Sequence, residues 1–136
     1  MFTWPIGSIT RKKPKLSTGA EAEKLAEAYL TGHGLVLLQR NFLCRQGEID
    51  LVMEYRNILV FVEVRYRKSA LFGSAAETVT ASKQRKLILA AQYYLAKYPA
   101  MQRRPMRFDI IGISPISTGE FNYTWLQNAF DGDAYS

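Results

Sequence analysis

From Ser17 to Gly34 apolar residues recur three and four apart, and Ala22, Leu25, Ala26, Tyr29 and Leu30 fall on one stripe of a helix. Thr18 and Glu21 have the spacing of a capping box at its start, and Gly32 and Gly34 end it. The period then shortens. Residues 35–44 (LVLLQRNFLC) predict a strand, and GEIDLVMEYRNILVFVEVRYR, from Gly47 to Arg67, predicts two more joined by a tight turn at Arg56-Asn57. A connection from Lys68 to Val79 is longer than most and is a candidate functional segment. Helical spacing returns from Ser82 to Tyr98, with Leu87, Ala91, Tyr94, Leu95 and Tyr98 on one face. MRFDIIGI (106–113) and EFNYTWL (120–126) predict two last strands, with QNAFDGDAYS (127–136) as a frayed end. Residues 1–16 mix Pro, Gly and basic residues without periodicity and predict a mobile basic arm, leaving residues 17–136 as one domain. The order α-β-β-β-α-β-β implies an α/β fold, a mixed central sheet flanked by helices.

The hairpin holds an anomaly. A symmetric two- or four-residue turn pairs Tyr55 with Ile58, Met53 with Val60, Leu51 with Val62 and Ile49 with Val64, a wholly apolar face that belongs to the core. The other face pairs Glu54 with Leu59, Val52 with Phe61, Asp50 with Glu63 and Glu48 with Arg65. Asp50 and Glu63 then oppose each other as like charges, which destabilises a sheet. At a separation of ~5 Å and an effective dielectric of ~20 the repulsion is about 3 kcal/mol. A shared proton, a neighbouring cation such as Arg65, or a divalent metal can offset it. Two carboxylates with water and a backbone carbonyl suit Mg²⁺, and carboxylate–arginine networks on half-exposed sheets are an equally ordinary outcome.

Two further groups have double readings. Glu23 lies at the edge of the first helix's apolar stripe, either as a solvated flank residue or at the junction where the helix meets its packing partner. Lys83, Arg85 and Lys86 occupy the first turns of the second helix, where cations oppose the helix dipole, and Lys83 and Gln84 extend the line of its apolar face. They form either a solvated charge run or, with the helix N-terminus, a phosphate site.

Composition narrows the function classes. The chain has 136 residues, 48% hydrophobic and 22% charged, ordinary for one globular domain. Its net charge of +6 favours a polyanionic partner, and the excess clusters at Arg11–Lys15, Arg65–Lys68 and Lys83–Lys86. One cysteine, Cys44, excludes an internal disulfide and a Cys-rich zinc site. The sole histidine, His33, sits in a Gly-His-Gly helix end and reads as a cap or turn residue, which leaves no Ser-His-Asp triad or zinc site. No Walker A or GxGxxG loop is present, and no apolar run approaches the ~18 residues of a membrane span. MFTWPIGSIT does not have the form of a signal peptide, so the expected location is cytoplasmic, with no membrane partner.

Several of these segments together resemble a known family. AEKLAEAYL after Gly19, RN at Arg40, GEIDLV at Gly47, FVEVRYR at Phe61, SKQRKL at Ser82 and RFDIIG at Arg107 resemble the YraN-like proteins, bacterial proteins assigned as endonucleases of the PD-(D/E)XK superfamily and distantly similar to archaeal Holliday junction resolvases. The resemblance covers about Gly19 to Phe130, and it implies a restriction endonuclease-like fold and metal-dependent hydrolysis of DNA. By the family pattern Glu23, Asp50, Glu63 and Arg65 would be catalytic. Mg²⁺ (or Mn²⁺) would be held by Asp50 and Glu63, the Val64 carbonyl and Glu23, directly or through water. Arg67, Lys83, Gln84, Arg85 and Lys86 would contact nucleic acid. One departure stands out. The superfamily's E-x-K lysine is Arg65 here, and arginine is effectively never deprotonated. Two alternatives to the endonuclease therefore stay open: a catalytically silent nucleic-acid binder on a nuclease fold, and a protein-interaction module with a structural ion-pair network. A homodimer follows only by analogy with resolvases, which cut two strands.

Overall fold

The computed structural model describes residues 19–68 and 78–132. The basic arm, the capping Thr18 and most of the connection after Lys68 lie outside them. The elements run in the expected order: α1 (Gly19–Thr31), β1 (Val36–Cys44), β2 (Gly47–Tyr55), β3 (Ile58–Tyr66), α2 (Ala81–Lys97), a 3₁₀ turn (Pro99–Arg103), β4 (Met106–Pro115) and β5 (Phe121–Phe130). The five strands form one sheet in the order β1-β2-β3-β4-β5. Only β3 and β4 are parallel, and α2 lies in the crossover between them. The fold is α/β and restriction endonuclease-like, a mixed sheet with a helix on each side.

Strand alternation sorts the core into two layers. Leu51, Met53, Val60 and Val62 pack with Ala22, Ala26 and Leu30 of α1, and Val52, Leu59 and Phe61 pack with Leu87, Ile88, Ala91 and Tyr94 of α2. Burying both sheet faces explains why β3 and β4 are nearly continuous apolar runs. Thr80 caps α2, its hydroxyl accepting from the Lys83 N–H at 3.2 Å. At the end of α1, the Nδ1–H of His33 donates to the Tyr29 carbonyl at 2.7 Å, the cap role read from its glycine neighbours.

The C-terminal strand corrects one expectation. Gln127–Phe130 do not fray but continue β5 to Phe130. Phe130 stacks on Phe108 with ring centroids 4.8 Å apart, and the Asn128 N–H donates to Asp109 at 2.9 Å. Asp109 is fully buried and fully used. It also accepts from Arg107 Nε at 3.0 Å, from Arg107 Nη2 at 3.2 Å and from Trp125 Nε1 at 2.9 Å. Polar residues near a chain end read as loose from sequence, whereas the buried carboxylate supplies the acceptor that orders them. Asp109→Ala strands a half-buried guanidinium and two N–H groups, so the expected loss is about 3 kcal/mol in urea unfolding. A loss below about 1 kcal/mol would remove Asp109 as the anchor of β5.

Candidate metal and nucleic-acid site

The hairpin register holds for five pairs, Tyr55 with Ile58 through Leu51 with Val62, around a two-residue turn in which Arg56 is left-handed (φ 58°). The next three expected pairs do not form, and the ladder ends where the carboxylates begin. The reason lies in a local change of face. Ile49 packs in the α2 layer with Val52, not in the α1 layer with Leu51. In β1, Arg40 stands opposite Leu51 and pairs with Glu27 of α1 at 2.7 Å, while Phe42 stands opposite Ile49 and packs with Tyr94 of α2. Both strands thus lose their two-residue alternation across Asn41 and Asp50, and Asn41 is left-handed at φ 51°. Strict alternation cannot predict such a step.

The step frees Asp50 from the ladder. Its Oδ2 accepts the Val64 N–H at 2.8 Å, so Val64 meets Asp50 through its amide. Asp50 and Glu63 lie close enough to act on each other's charge, so the two carboxylates come together, although not as the expected ladder pair. Glu63 is 5% exposed, and its Oε1 is buried with no hydrogen-bond partner. Its Oε2 faces two cations, Arg65 Nε at 3.3 Å and Lys83 Nζ at 3.8 Å. The Arg65 contact is an ion pair without hydrogen-bond alignment. Glu48, expected opposite Arg65, instead accepts from Asn41 Nδ2 at 2.9 Å, and the same nitrogen donates to Glu23 Oε1 at 2.7 Å.

The electrostatics follow from this crowding. Burial, then the charge of Glu63, pushes Asp50 up to about 8, and Glu23 and Glu48 add to the rise against the Val64 hydrogen bond. Burial also raises Glu63, opposed by Lys83, Arg65 and the adjacent Asp50. The two cations favour the ionised form of Glu63, whereas Asp50 has only the Val64 hydrogen bond to offset burial and its carboxylate neighbours.

The expected site residues divide into groups. Asp50, Glu63, Arg65 and Lys83 come together, with Glu23 one layer out and engaged by Asn41. Gln84 turns its amide to the Val79 carbonyl at 3.2 Å. Arg85 and Lys86 are exposed on the first turns of α2, and Arg67 follows β3 with its N–H bonded to Ile113 at 2.8 Å. Thr80 already takes the Lys83 and Gln84 N–H groups, so phosphate contacts at this helix start fall mainly to side chains. Asn41, part of the RN segment, and Glu48, expected opposite Arg65, carried no site role in the sequence. The left-handed tendency of asparagine is the physical signal for the first.

The donor set suits a hard cation. Among the described residues no three His, Cys, Asp or Glu side chains stand close enough to form a ready-made cage. Mg²⁺ does not need one, because it commonly takes one or two carboxylates and keeps several waters. The partnerless Glu63 oxygen and the crowding of Asp50 against Glu63 are the features such an ion would relieve.

The comparisons with known proteins agree with the segments noted in the sequence. The model of "Uncharacterised protein family UPF0102" matches residues 22–113, which include Glu23, Asp50, Glu63 and Lys83. A UPF0102 protein of Alcanivorax borkumensis is 50% identical over 118 residues, covering 87% of this chain and 94% of the relative. One of Nitrosococcus oceani is 51% identical over 112 residues, covering 82% and 90%, and one of Saccharophagus degradans is 50% identical over 113 residues, covering 83% and 92%. With a match across α1, both carboxylate strands and most of β4, the chain belongs to the UPF0102 family, that of the YraN-like proteins.

Proposed function

We infer that this protein is a metal-dependent endonuclease that hydrolyses DNA phosphodiester bonds. One observation carries the reading: Asp50 and Glu63 are set side by side next to two cations, Arg65 and Lys83, with the buried Glu63 Oε1 left without a hydrogen-bond partner. A purely structural ion-pair network would satisfy its carboxylates. Here one is left unsatisfied.

Mg²⁺ (or Mn²⁺), held by Asp50 and Glu63 and reached by Glu23 through water, would polarise the phosphodiester and acidify water. The chain's own residues set the rest. Arg65 and Lys83 present positive charge where the non-bridging oxygens gather negative charge during in-line attack. A P–O bond forms to water as the ester P–O bond breaks. The water's proton goes to solvent, and the leaving alkoxide takes one up. Lys83 also bears on the missing E-x-K lysine, since it brings an ammonium to Glu63 from α2.

Arg65 favours a second reading, a nucleic-acid binder that does not cut. Assays on branched, single-stranded and duplex DNA with Mg²⁺ or Mn²⁺ separate the two. Cleavage by the wild type and none by Asp50→Asn supports the nuclease. Binding without cleavage supports the silent binder, and neither leaves an interaction module.

The basic face of α2 makes its own prediction. Arg85→Gln and Lys86→Gln together are expected to weaken DNA binding on every sequence and to lower the slope of log affinity against log salt by about 1–2. An unchanged slope would mark those residues as a solvated face. No helix among the described residues is long and apolar enough to cross a membrane.

A further inference from the structure

We propose that Asn41 is a positioning residue of this site, holding Glu23 of α1 and Glu48 of β2 in place around Asp50 through one side-chain amide. The inference rests on the metal-dependent reading and concerns residues that reading does not explain. Asn41 Nδ2 donates to Glu23 Oε1 at 2.7 Å and to Glu48 Oε2 at 2.9 Å, so both of its hydrogens are committed to carboxylates. Each of those carboxylates acts on the charge of Asp50, and Glu48 also acts on Glu63. Remove the amide and two like charges on different elements lose their common donor, free to swing away from Asp50 or towards solvent.

The backbone supports the same assignment. Asn41 is one of three non-glycine residues at positive φ among the described residues, and it lies in the step at which β1 and β2 both change face. Asparagine tolerates this conformation better than most side chains, and glycine tolerates it without cost. Glycine alone would therefore satisfy the bend. A side chain that is both left-handed-tolerant and a double donor satisfies the bend and the carboxylates together. Aspartate would fit the backbone but would add a third negative charge.

Asn41→Gly and Asn41→Ala separate the two roles. Mn²⁺ affinity is measured by calorimetry, melting temperature without metal, and DNA affinity in Ca²⁺. Asn41→Gly keeps the backbone preference, so it is expected to melt near the wild type and to bind DNA normally, yet to bind Mn²⁺ about 10-fold more weakly, the usual scale for an outer-shell partner. Asn41→Ala is expected to lose the same Mn²⁺ affinity and, in addition, to melt lower. If the amide acts through Glu23, Glu23→Ala and Glu23→Ala/Asn41→Gly should bind Mn²⁺ nearly alike. Wild-type Mn²⁺ affinity in Asn41→Gly overturns the proposal. Wild-type protein that binds Mn²⁺ no better than Asp50→Asn instead overturns the metal reading beneath it.

Discussion

Asp50→Asn is expected to raise the melting temperature of the metal-free protein at pH 8 and to abolish Mn²⁺ binding and cleavage. Its effect on stability follows from the direction of the Asp50 shift. The Asp50 carboxyl stands at about 8 in the folded protein against about 4 in an unfolded chain. Below about pH 4 both states are protonated, and the site costs the fold nothing. Between about pH 4 and 8 the folded state holds a proton that the unfolded state has released, so stability falls as pH rises, at up to ~1.4 kcal/mol per pH unit. Above about pH 8 the loss is complete and levels off.

Asparagine is neutral throughout, and its carboxamide oxygen can still accept the Val64 N–H, which now meets Asp50 at 2.8 Å. Wild type and variant should therefore melt alike near pH 4 and diverge as pH rises, by a few kcal/mol at pH 8, or on the order of 10 °C. Metal should close the gap for the wild type alone, because an ion that displaces the proton binds more tightly as pH rises. Thermal melts from pH 4 to 9, with and without Mn²⁺, read all of this. A wild type more stable than Asp50→Asn at pH 8 without metal would place Asp50 in a satisfied ion-pair network.

The second large effect belongs to Lys83. Lys83→Ala is expected to lower single-turnover cleavage by about 10²–10³, the scale of losing one preorganised charge at the reacting phosphate. Mn²⁺ affinity should hold or improve, because the nearby cation that competes for Glu63 is gone. Arg65→Ala should also slow turnover with metal binding intact, and Arg65→Lys should preserve or raise activity by restoring the superfamily's usual residue on the strand. Wild-type rates in Lys83→Ala would remove the α2 lysine from the chemistry. If instead the wild type is inactive and Arg65→Lys gains cleavage, the chain is a silent nuclease fold and the missing strand lysine is the cause.

The secondary structure was legible because period and burial coincide. The α1 stripe from Ala22 to Leu30, the five hairpin pairs from Tyr55 to Leu51 and the apolar run of β4 each meet a packing partner at the spacing written in the chain. Identification of Asp50 and Glu63 rested on the same logic, since a carboxylate amid core residues is conspicuous. The ladder assumed to bring them together ends one pair earlier, at Leu51 and Val62, and they come together across the change of face instead.

What the chain alone left open depends on distances between elements. Asn41 reads as an ordinary strand residue until the backbone turns left-handed and sets its amide between a helix carboxylate and a strand carboxylate. Lys83 is one of four cations and amides in KQRK until α2 docks and brings its ammonium to Glu63. The end of β5 looks frayed until Asp109, buried on the neighbouring strand, supplies the missing acceptor. Local pattern encodes which face of an element is apolar, because burying that face dominates the free energy of every strand and helix. Electrostatic contacts between elements are short-ranged and directional, so only the packed structure decides which charges meet.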